Sequence, residues 1–181
     1  MVSLRHPEED RIIRVAANLN DPRRLEWTCI SNSLEAAIKG LTDAELDVRG
    51  GPNNWSIRET IHHLVEANLI AANIFIAALA NSGGIYDWSW VNPDRIWMQT
   101  MGYDKAPLAP ALAVLSSLSE HLAGLISVRQ DALSCEIQLL DSPGAKPRKV
   151  TVQKMLDDEV KHAEEHLREI ETIQPTKSKD L

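Results

Sequence analysis

Four long segments of the chain repeat apolar residues every three or four positions, a spacing that places them on one face of an α-helix. The first segment starts at Asp21-Pro22, an N-cap followed by proline. The others run from Ser56 to about Asn81, from Pro107 or Pro110 to Arg129, and from Thr151 to about Ile173. Little of the remaining sequence has the alternation of a strand. The chain is therefore predicted to be all-α and to fold as a four-helix bundle.

Capping motifs mark the starts of two helices. Thr42-Asp-Ala-Glu45 and Ser56-Ile-Arg-Glu59 both have the capping-box pattern, in which a hydroxyl and a glutamate three residues later each bind a backbone N–H group. We expect the first box to open one short turn after a helix that ends near Gly40. The second should open a long helix that Gly83-Gly84 stops.

Two connections make the predicted bundle irregular. A long segment from Ile85 to Pro107 between the second and third long helices is rich in tryptophan and proline. Connections of that length are usually functional or disordered, and the tryptophans argue against disorder. Before the last helix, 135–140 and 148–152 flank a turn sequence, which predicts a short hairpin or an irregular arm.

Charge and hydropathy limit what the chain is expected to bind. Its 181 residues carry a net charge of −7 and contain no Lys/Arg run, so the charge pattern of a nucleic-acid-binding protein is missing. Residues 1–11 lack the apolar core of a signal peptide, and no apolar run approaches the roughly 20 residues that span a bilayer. We expect no nucleic acid and no membrane as partners, and a cytoplasmic location.

A single domain is expected over residues 1–174, followed by a flexible polar tail at 175–181. The two cysteines, Cys29 and Cys135, do not suggest a disulfide framework. Both are expected to be buried as small apolar side chains, in keeping with a reducing compartment.

Histidines border the apolar stripes of two predicted helices. At about 100° per residue, His63 lies on the same face as Ile70 and Ile74, whereas the adjacent His62 lies about 100° away on the polar side. On the last helix, His162 and His166 are four residues apart. They therefore share a face, with Cβ atoms roughly 5–6 Å apart.

These three inward histidines predict a metal site. Two imidazoles four residues apart can bind one divalent ion such as zinc at about 2.0–2.1 Å, and His63 would complete a three-histidine site with one position open. Glu159 borders the same stripe, and an inward carboxylate is costly unless it is paired or linked to a metal. Glu159, or Glu66 beside His63, is therefore a candidate to orient a histidine or accept a proton.

The tryptophans of the long connection are the other candidates for a functional site. Trp88, Trp90 and Trp97 could line a substrate pocket, although tryptophans more often fill a core. His6 and His121 have no partner at metal spacing and are expected on the surface. Glu159-x-x-His162 matches half of a di-iron motif, but a second such motif is missing, so a mononuclear site is favoured.

The same residues allow two other interpretations. In one, a non-catalytic bundle keeps a metal or an apolar ligand for sensing or stability. In the other, the bundle is purely structural and its histidines are hydrogen-bonded core residues. A fully coordinated ion would favour the first alternative, and a metal affinity unchanged by His162→Ala would favour the second.

Three motifs link the chain to a known family. They are Trp55-Ser-Ile-Arg-Glu59, His63-Leu64 and His162-Ala-Glu-Glu-His166. Together they resemble the DinB/YfiT-like superfamily, and the resemblance extends from about Trp27 to Ile170. It implies a four-helix bundle in which His63, His162 and His166 hold a divalent metal, zinc or nickel.

The resemblance also implies an activity and an assembly. It implies a metal-dependent hydrolase, or a transferase or isomerase that uses a low-molecular-weight thiol such as bacillithiol or mycothiol, acting on a small-molecule substrate. It further implies a homodimer. The segment from Tyr86 to Trp97 and the arm before the last helix match no subgroup pattern, so no particular substrate is implied.

Overall fold

Six helices make up most of the computed structural model, which describes the backbone of residues 22–173 and the side chains of residues 26–173. The predicted helical fold class is confirmed. The helices are α1 (Pro22–Ile38), α2 (Asp43–Leu46), α3 (Ile57–Ala80), α4 (Arg95–Met101), α5 (Leu108–Val128) and α6 (Val152–Ile173). The predicted N-cap Asp21, His6, which is expected on the surface, and the predicted tail at 175–181 lie outside the described residues.

The four long helices form the bundle. Helices α1 and α3 each pack against both α5 and α6, so α1 and α3 occupy opposite corners. Trp27 of α1 and Phe75 of α3 meet near the centre, with ring centroids 5.3 Å apart. The Trp27 indole Nε1 donates to Asn68 Oδ1 at 2.8 Å, so both buried polar groups are paired. This packing holds α3 beside α6, the two helices that carry the candidate histidines.

Both predicted capping boxes are present. Thr42 and Glu45 close the box of α2, and Ser56 and Glu59 close the box of α3. The Glu59 carboxylate, which is buried, also accepts a hydrogen bond from Arg49 Nη2 at 2.7 Å. Because this start of α3 is held by several bonds, the helical phase that turns His63 inward is fixed within its first two turns.

The predicted hairpin is confirmed and belongs to a small sheet. Strands β2 (Glu136–Leu140) and β3 (Arg148–Thr151) pair antiparallel, and β1 (Ile85–Asp87) adds to β2 in parallel. The sequence did not indicate β1, since a strand of three residues is too short to show alternation. Pairing with β1 covers the edge of β2, whose backbone groups would otherwise need water.

The long connection is therefore more regular than expected. It contains β1 and the short helix α4, which Asp94 caps by accepting a hydrogen bond from the Trp97 backbone at 2.8 Å. Gly102 ends α4 with a positive φ of 68°, a conformation that favours glycine.

Two further expectations need correction. Helices α3 and α5 are long and apolar enough to cross a membrane by length and composition, because Asn73 alone does not lower the hydropathy of its window enough. Here the two helices pack against each other, and a core helix passes the same test. Cys29 is exposed rather than buried, whereas Cys135 is buried as expected, and His121 lies on the surface.

Candidate metal centre

Helices α3 and α6 bring three imidazole nitrogens together. His162 Nε2 lies 3.2 Å from His63 Nε2 and 3.1 Å from His166 Nε2. The ring centroid of His63 is 5.1 Å from each of the other two, and all three ligand atoms lie within 4.8 Å of one another. The structure therefore brings together the three histidines that the helical periodicity selected.

The spacing of these nitrogens fits a divalent ion. Bonds of about 2.0–2.1 Å to a tetrahedral zinc ion would set neighbouring ligand nitrogens about 3.3 Å apart. Lone pairs of neutral imidazoles repel unless a proton or a cation lies between them. The donor set and its distances thus suit a metal held by three nitrogens with a further position open.

A carboxylate fixes the tautomer of one ligand. His166 Nδ1 donates to Glu169 Oε2 at 2.7 Å, so the His166 proton is on Nδ1 and the lone pair of Nε2 points at the other histidines. Metal-binding histidines commonly have such a partner, which orients the ring and raises its basicity. Our sequence reasoning missed Glu169, although its position three residues after His166 was a usable signal.

Trp55 supports the centre from the side. Its ring centroid is 4.5 Å from that of His63 and 5.8 Å from that of His166. The sequence singled out Trp55 only as part of a family motif, since nothing in its spacing showed which rings it would contact. His63 Nδ1, in contrast, is buried without a hydrogen-bond partner among residues 26–173, so packing against Trp55 holds this ring.

Burial keeps the imidazoles neutral. Burial, with smaller contributions from the neighbouring His162 and His166, lowers the pKa of His63 to about 3. Burial also lowers the pKa of His162, with a smaller effect from His166. At neutral pH both rings are therefore unprotonated, which is the form that binds a metal.

Glu159 lines the same cavity as the three histidines. Part of the residue is exposed, but its Oε2 atom is buried and has no hydrogen-bond partner among the residues described. Burial raises the pKa of this carboxyl to about 8, and the charge of Asp158 adds to the shift. A buried carboxylate without a donor is costly, so the site favours a proton or a nearby cation.

Glu66, the other candidate carboxylate, is bound by Trp97 of α4 and by Tyr103 just after that helix. Trp97 Nε1 donates to both of its oxygens, at 2.9 and 3.0 Å. Burial raises the pKa of Glu66, while hydrogen bonds from Trp97 and Tyr103 oppose that rise. Glu66 thus anchors α4 to α3, and the carboxylate that orients a histidine is Glu169.

His62 is buried, which corrects the expectation that it faces the polar side. Its ring stacks on Tyr103 with centroids 4.9 Å apart, and its Nε2 donates to the Ala106 carbonyl at 3.2 Å. The segment after α4 covers this side of α3, which helical periodicity alone does not reveal. As predicted, His62 is not among the grouped metal-ligating residues.

A cavity of about 580 Å³ opens from the histidines. Its wall is mostly apolar and comes from α3, the sheet and α6, through Ala67, Ile70, Ile74, Leu139, Val150 and Met155. Glu66, Glu159 and Trp88 also line it. Trp88 directly follows β1, and its indole is held by a 2.8 Å hydrogen bond to Asp141, which directly follows β2.

The other two predicted pocket tryptophans do not line this cavity. Trp97 lies behind Glu66, which it binds through its indole nitrogen. Trp90 stacks on Trp97 with centroids 6.0 Å apart and is 59% exposed. The order of the tryptophans along the connection could not reveal this division, because it depends on how α4 docks on α3.

A second cavity of about 590 Å³ adjoins the first, and Trp55 and His166 line both. The second cavity has a larger polar share than the first, because its wall includes Asn53, Asn54, Thr60, Arg168, Glu169 and Thr172. Gly50 belongs to this wall too. A Cβ atom there would lie 3.2 Å from Ile173, so glycine allows the loop before α3 to approach the end of α6.

Comparison with known proteins agrees with this architecture. The family model of the DinB superfamily matches residues 28–170, a span that contains all three histidines. The chain belongs to the DinB superfamily. A solved structure of YfiT from Bacillus subtilis, titled "a probable metal-dependent hydrolase with an unusual four-helix bundle topology", covers 96% of this chain and 89% of its own, with a TM-score of 0.71. At 17% identity, this likeness shows the fold.

Relatives of the DinB chain carry names of one kind. Proteins from Geobacillus thermodenitrificans and Bacillus pumilus are each named "Putative metal-dependent hydrolase". The first is 27% identical over 128 residues, 67% of each chain. The second is 30% identical over 98 residues, 54% of this chain and 53% of its own. A similarly named protein from Geobacillus kaustophilus is 26% identical over 59% of this chain and 61% of its own.

Proposed function

We propose that this chain is a mononuclear metal-dependent hydrolase. In this proposal His63, His162 and His166 hold one divalent ion, zinc or nickel, and Glu159 accepts a proton. The observation that carries the proposal is the convergence of three Nε2 atoms, with His162 3.2 and 3.1 Å from the other two. The names of the relatives support the same class of reaction.

The chain's own residues supply the remaining functions of such a site. A divalent ion held by three neutral imidazoles lowers the pKa of water to about 7 and so provides a nucleophile at neutral pH. Glu169 keeps the His166 ring oriented by accepting its Nδ1 proton. The cavity wall, with Trp88 at one side, holds an apolar part of the substrate and excludes bulk water.

Glu159 is suited to move a proton in this site. A positive charge nearby favours the ionised form of a buried carboxyl and offsets the effect of burial on its pKa. Its Oε2 has no donor among the described residues, so it is available to accept a proton from a nucleophile. A general base of this kind typically contributes about 10²–10⁴-fold to the rate.

The experiment begins with metal content and ends with turnover. The purified protein is analysed for metals, reconstituted with zinc or nickel, and tested on ester and amide panels. We expect about one ion per chain and metal-dependent hydrolysis. Glu159→Gln should bind the ion but lose roughly 10²-fold or more in kcat. His121→Ala, at an exposed histidine of α5, is the matched control and should keep both properties.

Two outcomes would change the proposal. Less than a tenth of an equivalent of metal after reconstitution would contradict it. A product that contains an added small-molecule thiol in place of water would identify group transfer instead, a reaction that zinc supports because it binds soft thiolates well. The small-molecule substrate, the homodimer and the cytoplasmic location remain predictions.

A further inference from the structure

The position of the second cavity suggests what the substrate looks like. Trp55 and His166 line both cavities, so the two cavities adjoin at these rings and a ligand bound beside them can contact both. The first cavity is mostly apolar, whereas the second has a larger polar share, which comes from amide, hydroxyl and charged side chains. This arrangement suits a molecule with an apolar half and a polar half, joined at the bond to be cleaved.

The charges of the two cavities differ as well. In the first cavity, Arg148 is held by Asp141 through bonds of 2.8 and 3.1 Å, so its charge is compensated within the protein. In the second, Glu169 is engaged with His166 Nδ1 at 2.7 Å. Arg168 has no side-chain partner among the described residues, and neither do the side-chain amides of Asn53 and Asn54.

The second cavity therefore contains one guanidinium, that of Arg168, without an ion-pair partner among the described residues, beside the side-chain amides of Asn53 and Asn54. The hydroxyls of Thr60 and Thr172 donate their protons to the backbone carbonyls of Ser56 and Arg168, at 2.9 and 2.8 Å. A guanidinium and two amides remain to donate. A guanidinium recognises an oxyanion, a carboxylate or a phosphate, more strongly than a neutral acceptor, because the hydrogen bonds are charge-assisted.

We propose that the second cavity binds an oxyanion on the polar half of the substrate, with Arg168 as the residue that determines specificity for it. This inference rests on the proposed hydrolase. The substrate class is then an apolar acyl group joined through an amide or ester to a small acidic part. For an amide, the oxygen of water adds to the acyl carbon and the C–N bond breaks. The apolar acyl half becomes the carboxylic acid product, and the polar half leaves as an amine that has taken up a proton from the water.

The test uses ligands that cannot be hydrolysed. The ketone isostere of N-octanoylglycine is compared by calorimetry with the matching carboxamide and phosphonate, on the zinc-loaded full chain. We expect the carboxylate or the phosphonate to bind about tenfold tighter than the carboxamide, a difference that shrinks as salt is added because Arg168 is exposed. The tighter of the two anions identifies which kind of oxyanion the cavity prefers.

Two variants test whether Arg168 itself recognises the anion. Arg168→Gln should abolish the preference for the anion, while Lys39→Gln, which removes an equal charge at the exposed end of α1, should keep it. Equal binding of the anion and the carboxamide by the unaltered protein would overturn the inference. So would an unchanged preference in Arg168→Gln, since the anion would then be held elsewhere, for instance by the metal. Circular dichroism verifies that both variants fold, and metal analysis verifies that both bind zinc.

Turnover of N-octanoylglycine distinguishes this inference from the proposed hydrolase. If the anion preference depends on Arg168 but no amide or ester is hydrolysed, the oxyanion site stands and the hydrolase fails. If hydrolysis proceeds with a KM that Arg168→Gln leaves unchanged, the hydrolase stands and the oxyanion site fails. When both are right, Arg168→Gln raises KM for the acidic substrate about tenfold and leaves KM for its carboxamide unchanged.

Discussion

His62 and His63 are neighbours on α3 and are almost equally buried, at 8% and 7% exposure, but they face different parts of the molecule. On one side His62 stacks on Tyr103 and donates to the Ala106 carbonyl. On the other, His63 Nε2 faces another imidazole nitrogen. The first contact satisfies the His62 N–H group within the protein, whereas the second brings ring nitrogens together at a spacing that suits a cation.

Burial alone therefore does not distinguish a candidate metal ligand from a core histidine. Both rings lose water, and burial lowers the pKa of each. What differs is the partner, since a carbonyl acceptor satisfies an N–H group while converging nitrogens leave lone pairs facing each other. The side of α3 that faces α6 therefore carries the candidate metal centre, and the other side packs against Tyr103 and Ala106.

The largest expected effect is the loss of metal affinity in His63→Ala, which is compared with His62→Ala. His63→Ala should weaken metal binding by at least about a hundredfold, because loss of an outer partner alone typically costs about 10–100-fold. His62→Ala should leave metal affinity within about threefold and lower only the stability. Competition with a chromogenic chelator measures both. Equal losses in the two variants would erase the distinction between the two sides of α3.

The next effect concerns the partner of His166. Glu169→Gln removes the negative charge that accepts the Nδ1 proton, and metal affinity should fall by about 10–100-fold. Glu171→Gln, an exposed glutamate on the same helix, is the matched control and should have no effect. An affinity of Glu169→Gln equal to that of the control would show that the contact does not orient the ligand.

A pH titration of the metal-free protein tests the environment of Glu159. Its pKa of about 8 lies above the ordinary 4.5, so between those values the folded chain holds a proton that the unfolded chain releases. The free energy of unfolding therefore loses a contribution as pH rises, with a slope approaching about 1.4 kcal/mol per pH unit.

Glu159→Gln serves as the reference in that titration because it resembles the protonated residue at every pH. The difference in unfolding free energy between the variant and the unaltered protein should grow in favour of the variant from about pH 4.5 to pH 8. His63, with its pKa lowered to about 3, acts in the opposite direction below pH 6.5, but equally in both proteins. A constant difference across this range would contradict the burial of this carboxyl.

The smallest effect is expected where α4 docks on α3, at the contact between Trp97 and Glu66. Trp97→Phe removes the hydrogen bonds from the indole to Glu66 and should lower the free energy of unfolding by about 1–2 kcal/mol. Metal affinity should stay within about threefold, since Trp97 does not line the cavity at the histidines. Chemical denaturation and metal competition measure the two quantities. A large loss of metal affinity would mean that the two sides of α3 are coupled.

The sequence predicted the features that depend on local periodicity. The phase of α3 placed His63 inward, the four-residue spacing paired His162 with His166, and two capping boxes fixed helix starts, all as the structure has them. Glu169 was within reach of the same reasoning, since its spacing from His166 is also local.

The remaining features depend on tertiary contacts that periodicity does not encode. β1 exists because β2 offers an open edge, and His62 is buried because Tyr103 and Ala106 fold over it. Which of Trp88, Trp90 and Trp97 lines the cavity depends on where α4 docks. The second cavity is formed by the loop before α3 and the end of α6, which lie far apart in the sequence.

X-ray absorption spectroscopy of the zinc- or nickel-reconstituted protein tests the three-histidine centre, because it reports the ligands of the ion itself. We expect a first shell at about 2.0–2.1 Å with the scattering of three imidazoles and at least one further light ligand. We also expect His63→Ala to lower the imidazole number. A shell with sulfur, a shell without imidazole, or a spectrum unchanged by His63→Ala would contradict the three-histidine centre.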